Sequence, residues 1–405
     1  MPAGWELFFS PEGLHRLHEV ESAMAQGEST TQLGVRLRAE GAPGDEVAAL
    51  LAQASLRTKA VTKFGDRARS MLFTQAGLEQ ASRAEVAALH AERFATAGCT
   101  RVADLGCGIG TESLALLAAG VRVRAVEIDP LTSRIAAANL TAAGGAHGLS
   151  AELPQADVLT ADATEAPLDG VDGVFLDPAR RTRGNRDTRR LANPDDYSPS
   201  LSFAFTLAER LPTGIKLGPG FERELIPAGA EAQWVSVGGQ VVETGLWFGP
   251  LARARITRSA LVLRRGEAHE LVSEADADDA ETRPLGEVLY EPDGAVIRAR
   301  LIGMLAADLD AGMVSDGIAY LTADRFVQTP FAQAFRVIDT LPAGEKQLRK
   351  ALQARDIGTL EIKKRGANID PAALRTRLRL RGSQSATLVM TRVAGDHVAL
   401  LVERL

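Results

Sequence analysis

The 405-residue sequence predicts an α/β protein, and two spaced observations carry that reading. The first is a strand-like run at 101–105 that breaks into glycines at alternate positions, Gly106, Gly108 and Gly110, before an amphipathic stretch with Leu114, Leu116 and Leu117. A strand, a tight turn and a helix follow from that order, and the glycines let a ligand approach the backbone with no Cβ in the way. The second is the next apolar run, 121–126, which ends in Glu127, twenty-one residues after Gly106 (127 − 106). That spacing sets a carboxylate at the tip of the neighbouring strand, within reach of both hydroxyls of a ribose. Together they open a nucleotide-binding sheet.

The loop chemistry narrows the nucleotide. A dinucleotide-binding loop reads Gly-x-Gly-x-x-Gly, with a pyrophosphate at the following helix N-terminus. Here the third glycine comes one position early and the strand carries an acid, Asp104. An acid facing the ligand repels a pyrophosphate but suits the ammonium group of an amino acid. The run Asp104-Leu-Gly-Cys-Gly-Ile-Gly110 resembles the first motif of the class I S-adenosylmethionine (SAM)-dependent methyltransferases. That resemblance implies a Rossmann-like seven-stranded methyltransferase sheet with SAM as cofactor. Asp104 and the backbone of Gly106, Gly108 and Gly110 would hold the methionine part, and Glu127 the ribose.

Two further elements fall in register with it. Asp162 lies 35 residues after Glu127 (162 − 127), room for a helix and a third strand. It resembles the acid that accepts a hydrogen bond from the adenine amino group, with the Ala163 amide facing a ring nitrogen. The apolar run 173–176 then ends in Asp177-Pro178. Proline cannot donate to a strand ladder, so it ends the strand and leaves Asp177 at the carboxyl edge of the sheet, where such folds bind ligands. This resembles the Asp/Asn-Pro-Pro-aromatic motif of methyltransferases acting on nitrogen, in which the acid or amide orients the attacking atom. The chain departs from it at Ala179 and Arg180, which replace the second proline and the stacking ring. An arginine plane substitutes for such a ring in part.

Composition bounds the remainder. Hydrophobic residues make up 45% and charged residues 24%, globular values, and the length calls for two or three domains. Cys107 sits inside the glycine loop and Cys99 just before the strand, which points to a reducing cytoplasm rather than a structural disulfide. No basic segment followed by an apolar one opens the chain, and no run reaches membrane-spanning length, so a cytoplasmic protein without membrane contact is expected. Residues 1–95 read as a helical domain. Ser10-Pro-Glu opens one helix, and Ser82-Arg-Ala-Glu85 reads as a capping box before a stripe of Val86, Leu89, Arg93 and Phe94. His90 lies beside that stripe as a packed histidine. His15 and His18 have helical spacing but no cluster of Cys or acids with them, so no metal is expected. The segment 63–82 precedes the SAM domain, and in similar enzymes a segment there folds over the cofactor; Thr74 and Gln80 are its candidate contacts.

After Asp177 the alternation continues, with a helix at 201–211, a strand at 213–217, a helix at 221–226, and strands at 234–237, 241–248 and 256–263. The methyltransferase domain is therefore assigned to 96–266. Lys216 and Glu243 are charges within apolar strands. Either they pair with each other or they face the cleft, where Lys216 would bind substrate. Ten acids against Arg283 alone mark 267–293 as an acidic break, and 267–330 as linker and connecting segment. A last α/β unit, 331–405, holds a strand at 334–338, helices at 345–355 and 371–378, and a hairpin at 386–402. It resembles the THUMP-like domain at the C-terminus of a family of bacterial class I methyltransferases. That family pattern also includes the Asp177-Pro-Ala-Arg-Arg181 run and the Gly77-Leu-Glu-Gln-Ala-Ser82 segment.

Charge distribution suggests the partner. The net charge is −6, which argues against indiscriminate coating of nucleic acid. Yet Arg180, Arg181, Arg183, Arg186, Arg189 and Arg190 stand against Asp187 alone directly after the expected catalytic strand. Eleven bases face four acids over 345–381, including Lys363, Lys364 and Arg365. Guanidinium forks suit phosphates. The sequence thus predicts a metal-free SAM-dependent methyltransferase acting on a base nitrogen in structured RNA, tRNA or rRNA. Asp177 would orient or deprotonate the nucleophile, and Arg180, Arg181, Arg183, Lys363, Lys364 and Arg365 would contact RNA. A methyltransferase of a small molecule or protein, and a SAM-binding RNA-interaction protein without catalysis, remain the alternatives.

Overall fold

A computed structural model describes residues 4–146, 156–180 and 196–405. The chain divides into two compact units, Met1–Lys216 with Trp247–Ala252, and Leu217–Leu246 with Arg253–Leu405.

The first unit begins with helices. Ser10 caps α1 (Pro11–Ala25) by accepting from Gly13 N at 3.1 Å, with Pro11 in the first turn as its sequence dictates. Helix α2 (Thr30–Ala39) opens on a capping box between Ser29 and Gln32. Helix α3 (Gly44–Phe64) is the longest of this group and buries Val47, Leu50, Ala54 and Ala60. A buried extended stretch, Met71 to Phe73, then leads into the short α4 (Gln75–Gln80), capped by Thr74, and into α5 (Ala84–Thr96). The capping box expected at Ser82 is absent: α5 starts after Arg83, which makes no side-chain cap. The Ser82 hydroxyl instead accepts from Lys216 Nζ at 3.0 Å.

The sheet of this unit follows in chain order. Strand β1 (Arg101–Leu105) leads through the glycine loop into α6 (Thr111–Ala118), β2 (Arg122–Glu127), α7 (Pro130–Ala146) and β3 (Ala156–Thr160). Next come β4 (Gly173–Leu176), a two-residue pair of β5 (Ala179–Arg180) with β6 (Tyr197–Ser198), α8 (Leu201–Ala208) and β7 (Thr213–Leu217). The order is β7-β4-β1-β2-β3, every neighbouring pair parallel. Strand β1 therefore has β2 on one side and β4 on the other, and the strand order reverses there. Parallel sheets of this kind bind ligands at the carboxyl ends of the strands beside such a reversal.

The second unit holds β8 (Glu231–Val237), most of β9 (Gln240–Phe248), β10 (Arg258–Arg264) and β11 (Glu267–Ser273), with β8 parallel and β11 antiparallel to β10. A second sheet combines β12 (Val288–Pro292), β13 (Gly312–Met313), β14 (Leu321–Ala323), β15 (Ala332–Pro342), β16 (Ile357–Lys364), β17 (Gln384–Val393) and β18 (Asp396–Arg404) in the order β13-β14-β12-β15-β18-β17-β16. Helices α9 (Gly294–Arg298) and α10 (Ile302–Asp308) connect its early strands. Helices α11 (Glu345–Gln353) and α12 (Pro371–Leu378) complete it, burying Leu348, Leu352, Leu374 and Leu378 with Ile357 and Leu388.

Two expectations are corrected here. Residues 267–293 are not a bare linker, because Glu267–Ser273 and Val288–Pro292 are strands. Their acids are matched by arginines that precede the run. Arg253 pairs with Glu231 and Glu270 at 2.6 Å each, Arg258 with Asp276 at 2.6 Å, and Arg264 with the buried Asp293 at 3.3 Å. Burial alone would push Glu270 up, but Arg253 and Ser259 hold it below the usual carboxylate range. The helix expected at 221–226 is a single 3-10 turn, Arg223–Leu225, because Pro219 and Pro227 leave too few residues for an α-helix.

One constraint ties the first unit together. The backbone of residues 71–73 is buried, and three side chains satisfy it. Gln53 donates to Phe73 O at 2.8 Å and accepts from Phe73 N at 3.0 Å. Arg57 donates to Met71 O at 2.7 Å. Asn139 accepts from Leu72 N at 2.7 Å and donates to Leu72 O at 3.1 Å and Ile109 O at 2.9 Å. Replacing Asn139 by leucine leaves buried backbone groups unpaired, each costing about 1–3 kcal/mol. A large drop in the urea midpoint of Asn139→Leu is expected. Unchanged stability would show that these hydrogen bonds do not hold the segment.

Candidate active site

The register of the parallel strands brings the sequence-predicted residues to one edge. Leu105 of β1 lies beside Val126 of β2 and Leu176 of β4, Glu127 lies beside Thr160, and Leu176 lies beside Ile215. Residues one or two positions further on therefore share the carboxyl edge: the glycine loop, Glu127, Asp162, Asp177 and Lys216.

The loop is drawn against β2 by Gly106 N and Cys107 N, which both donate to Val126 O, at 2.8 and 3.0 Å. Gly106, Gly108 and Gly110 have φ of 84°, 55° and 87°, the left-handed region that favours glycine. A Cβ added at Gly106 or Gly108 would meet nothing within 4 Å, so the loop backbone borders open space. Gly108 N donates to Glu127 Oε2 at 3.0 Å and Asp129 N to Oε1 at 2.9 Å, which fixes this carboxylate at the tip of β2. Ile128 beside it is 65% exposed, an apolar side chain at a polar edge that sequence reasoning passed over. Asp162 accepts from Thr164 N and its hydroxyl at 2.8 and 2.7 Å.

Asp104 is buried and accepts from Ser113 Oγ at 2.6 Å. Burial pushes its carboxyl up to about 7; Ser113 opposes that rise, the nearby Glu112 and Asp177 add to it, and Lys216 opposes it. A buried acid so poised gains from a cation placed against it, which is the chemistry of the ammonium end of an amino-acid ligand.

Asp177 Oδ2 lies 2.5 Å from Lys216 Nζ, which also donates to Ser82 Oγ. Lys216, expected with Glu243 either to pair or to face the cleft, has Asp177 as an acidic neighbour. Behind it, His90 Nδ1 is 3.2 Å from Glu112 Oε2, both buried, and the His90 ring packs against Phe175 and Trp247. Burial opposes ionisation of Glu112, but His90, Lys216 and Ser82 hold it below its ordinary range. Sequence reasoning missed this pair. Its trace is two ionisable residues on the inward faces of consecutive helices, α5 and α6.

Other expected contacts have partners of their own or are exposed. Thr74 accepts from Gly77 N at 2.9 Å as the cap of α4, and Gln80 is exposed. Lys363 pairs with Glu291 at 2.7 Å, Lys364 donates to Ile369 O at 2.5 Å, and Arg365 donates to Ala319 O at 2.6 Å beneath the Tyr320 ring. Lys363 and Arg365 are therefore engaged within their own unit, while Lys364 is exposed. Arg181 and Arg183 lie outside the described residues, and of Arg180 the backbone alone is described. Among the described residues no group of three His, Cys, Asp or Glu is arranged to hold a metal ion, and no helix is long and apolar enough to cross a membrane.

The Asp104 environment has a measurable consequence. An unfolded aspartate titrates near 3.8, whereas the folded one does so near 7. Between these values the native state binds the extra proton, so this group's contribution to stability falls as pH rises through the window. Asp104→Asn removes that dependence. Relative to the parent, the variant is expected to gain stability between about pH 4 and pH 8, read from urea midpoints. A pH-independent difference would contradict the raised value.

Comparison with known proteins agrees with this geometry. A family model described as THUMP domain-like matches residues 332–404, and a domain of unknown function matches 2–60. Two Mycobacterium tuberculosis proteins, from strains CDC 1551 and H37Rv, are described as uncharacterized S-adenosylmethionine-dependent methyltransferases. Each is 36% identical over 372 residues, covering 89% of this chain and 98% of its own length. The fold matches the crystal structure of a putative methyltransferase from Porphyromonas gingivalis W83, with a TM-score of 0.76 at 20% identity over 98% of this chain and 99% of that one. The glycine loop, its open flank and the buried acid suit the cofactor those relatives are named for, and the chain belongs to the family of SAM-dependent methyltransferases with a C-terminal THUMP-like domain.

Proposed function

We propose that this methyltransferase modifies a base nitrogen in structured RNA, tRNA or rRNA, with Asp177 accepting the hydrogen of the attacking nitrogen. The observation that carries the catalytic part is the position of Asp177: it follows β4, directly beside the glycine loop after β1, where the strand order reverses. The observation that favours RNA over a small molecule is the THUMP domain-like match at 332–404, together with exposed cations on α11 and in the turn after α12, namely Lys346, Lys350, Arg379 and Arg381.

SAM supplies a methyl group bonded to a positively charged sulfur. In the proposed arrangement Asp104 and the glycine-loop backbone hold the methionine end, Glu127 the ribose, and Asp162 with the Ala163 amide the adenine, against the apolar surface of Ile128. When bound, SAM would give up this methyl group to the attacking nitrogen and leave as the neutral thioether, and the proton on that nitrogen would pass to the Asp177 carboxylate. Such in-line displacement depends mainly on positioning, which the hydrogen-bonded residues at the carboxyl edge of the sheet would provide. Arg180, Arg181 and Arg183, directly after this strand, are proposed to clamp flanking phosphates.

Salt dependence tests the partner. If phosphates dominate binding, affinity for deproteinised tRNA and rRNA falls steeply with salt. Neutralising Arg180, Arg181 and Arg183, or Lys350, Arg379 and Arg381, is expected to make the log–log slope shallower by about one for each phosphate left without its cation. A slope near zero for the unmodified protein would favour a small-molecule acceptor.

A further inference from the structure

Lys216 occupies an unusual position for a lysine. It lies on the parallel strand β7 with its side chain 13% exposed, where an ammonium is costly unless matched. Its Nζ touches Asp177 at 2.5 Å and Ser82 Oγ at 3.0 Å. Ser82 closes the segment that starts at Met71, and that segment is pinned on several sides. Gln53 and Arg57 of α3 hold its buried beginning, and Asn139 of α7 joins Leu72 to Ile109 in the glycine loop. Lys63, also of α3, donates to the carbonyls of Leu78, Glu79 and Ala81 at 2.6, 2.9 and 3.1 Å. Gly77 presses on the loop so closely that a Cβ there would lie 2.5 Å from Ile109 Cγ2. Ser82 is thus delivered to Lys216 by a segment with little freedom to move.

We propose that Lys216 is a positioning residue: its ammonium, aimed by Ser82 of the 71–82 segment, keeps Asp177 ionised and turned to the carboxyl edge of the sheet where the acceptor nitrogen docks. This rests on the assignment of Asp177 above. A neighbouring cation favours the charged form of a carboxylate, and a fixed ion pair sets its direction. Among the described residues, other charged groups acting here are Asp104 of β1, Glu112 of α6 with His90 of α5 behind it, and Lys63 of α3 with Arg83. Asp104 and Asp177 raise the cost of ionising one another, and Lys216 is a cation in direct contact with Asp177. This role differs from a phosphate contact, in which Lys216 would act on the RNA and leave Asp177 alone.

Two measurements test it. The first needs no substrate: thermal unfolding of Lys216→Met, Asp177→Asn and the double variant. A direct pair predicts non-additive shifts, the double variant melting no earlier than the worse single one; additive shifts would overturn the pairing. The second uses methyl transfer from labelled SAM to RNA lacking the modification. Lys216→Met is expected to lower kcat about 10- to 100-fold and to move the acid limb of the pH–rate profile upward by about one unit, because an unassisted carboxylate ionises at higher pH. Ser82→Ala should shift the limb less in the same direction, and Lys216→Arg should restore its place. A raised KM for RNA with kcat and the limb unchanged would overturn the proposal and leave Lys216 as a substrate contact. If no RNA accepts methyl groups, the acceptor assignment fails, whereas the unfolding cycle still decides the pairing.

Discussion

The buried backbone of residues 71–73 is the constraint on which the first unit depends. Buried N–H and C=O groups outside a helix or sheet need partners, and here side chains from two helices far apart in sequence provide them. Gln53 and Arg57 reach from α3, and Asn139 from α7. Arg57 is itself buried and has Glu21 of α1 at 3.2 Å; burial pulls its pKa down, and Glu21 opposes that fall. Because Asn139 also bonds Ile109 O, one amide of α7 joins the segment that α3 holds to the glycine loop. The N-terminal helices thereby help to shape the glycine loop.

Electrostatics at the strand edge follow from the same compactness. Asp104, Glu112 and His90 are all buried within a few residues of the glycine loop or of the helix packed on it. Ionised acids this close cannot all remain charged without cations or hydrogen bonds. Glu112 has His90, and Asp177 has Lys216, while Asp104 has the Ser113 hydroxyl, and burial pushes its carboxyl up to about 7. A cation placed against this buried acid would favour its charged form, and it is the acid nearest the loop that cradles the methionine end in the proposed arrangement.

Much of this was legible in the sequence because the signals are local. Glycines at 106, 108 and 110, an acid twenty-one residues later and a proline after Asp177 report turn, strand end and strand tip by short-range rules. The helix expected at 371–378 is α12, and the hairpin expected at 386–402 is β17 with β18. What stayed hidden depends on distant partners. Ser82 has the spacing of a capping box, yet its hydroxyl serves Lys216, 134 residues away. The acids after 267 read as a linker because Arg253, Arg258 and Arg264 lie before the run. Lys363 and Arg365 read as a basic patch because Glu291 and Ala319 are remote in sequence. His90 and Glu112 each look ordinary alone, and only helix packing makes them a pair.

The most direct test of the catalytic account is Asp177→Ala, assayed for methyl transfer and, separately, for SAM binding by calorimetry. A carboxylate that takes the proton of the nucleophile predicts transfer reduced by roughly 10²–10⁴, with SAM affinity and melting temperature close to the parent. Full methyl transfer by a folded, SAM-binding Asp177→Ala protein would contradict the account and leave Asp177 as a structural end to its strand.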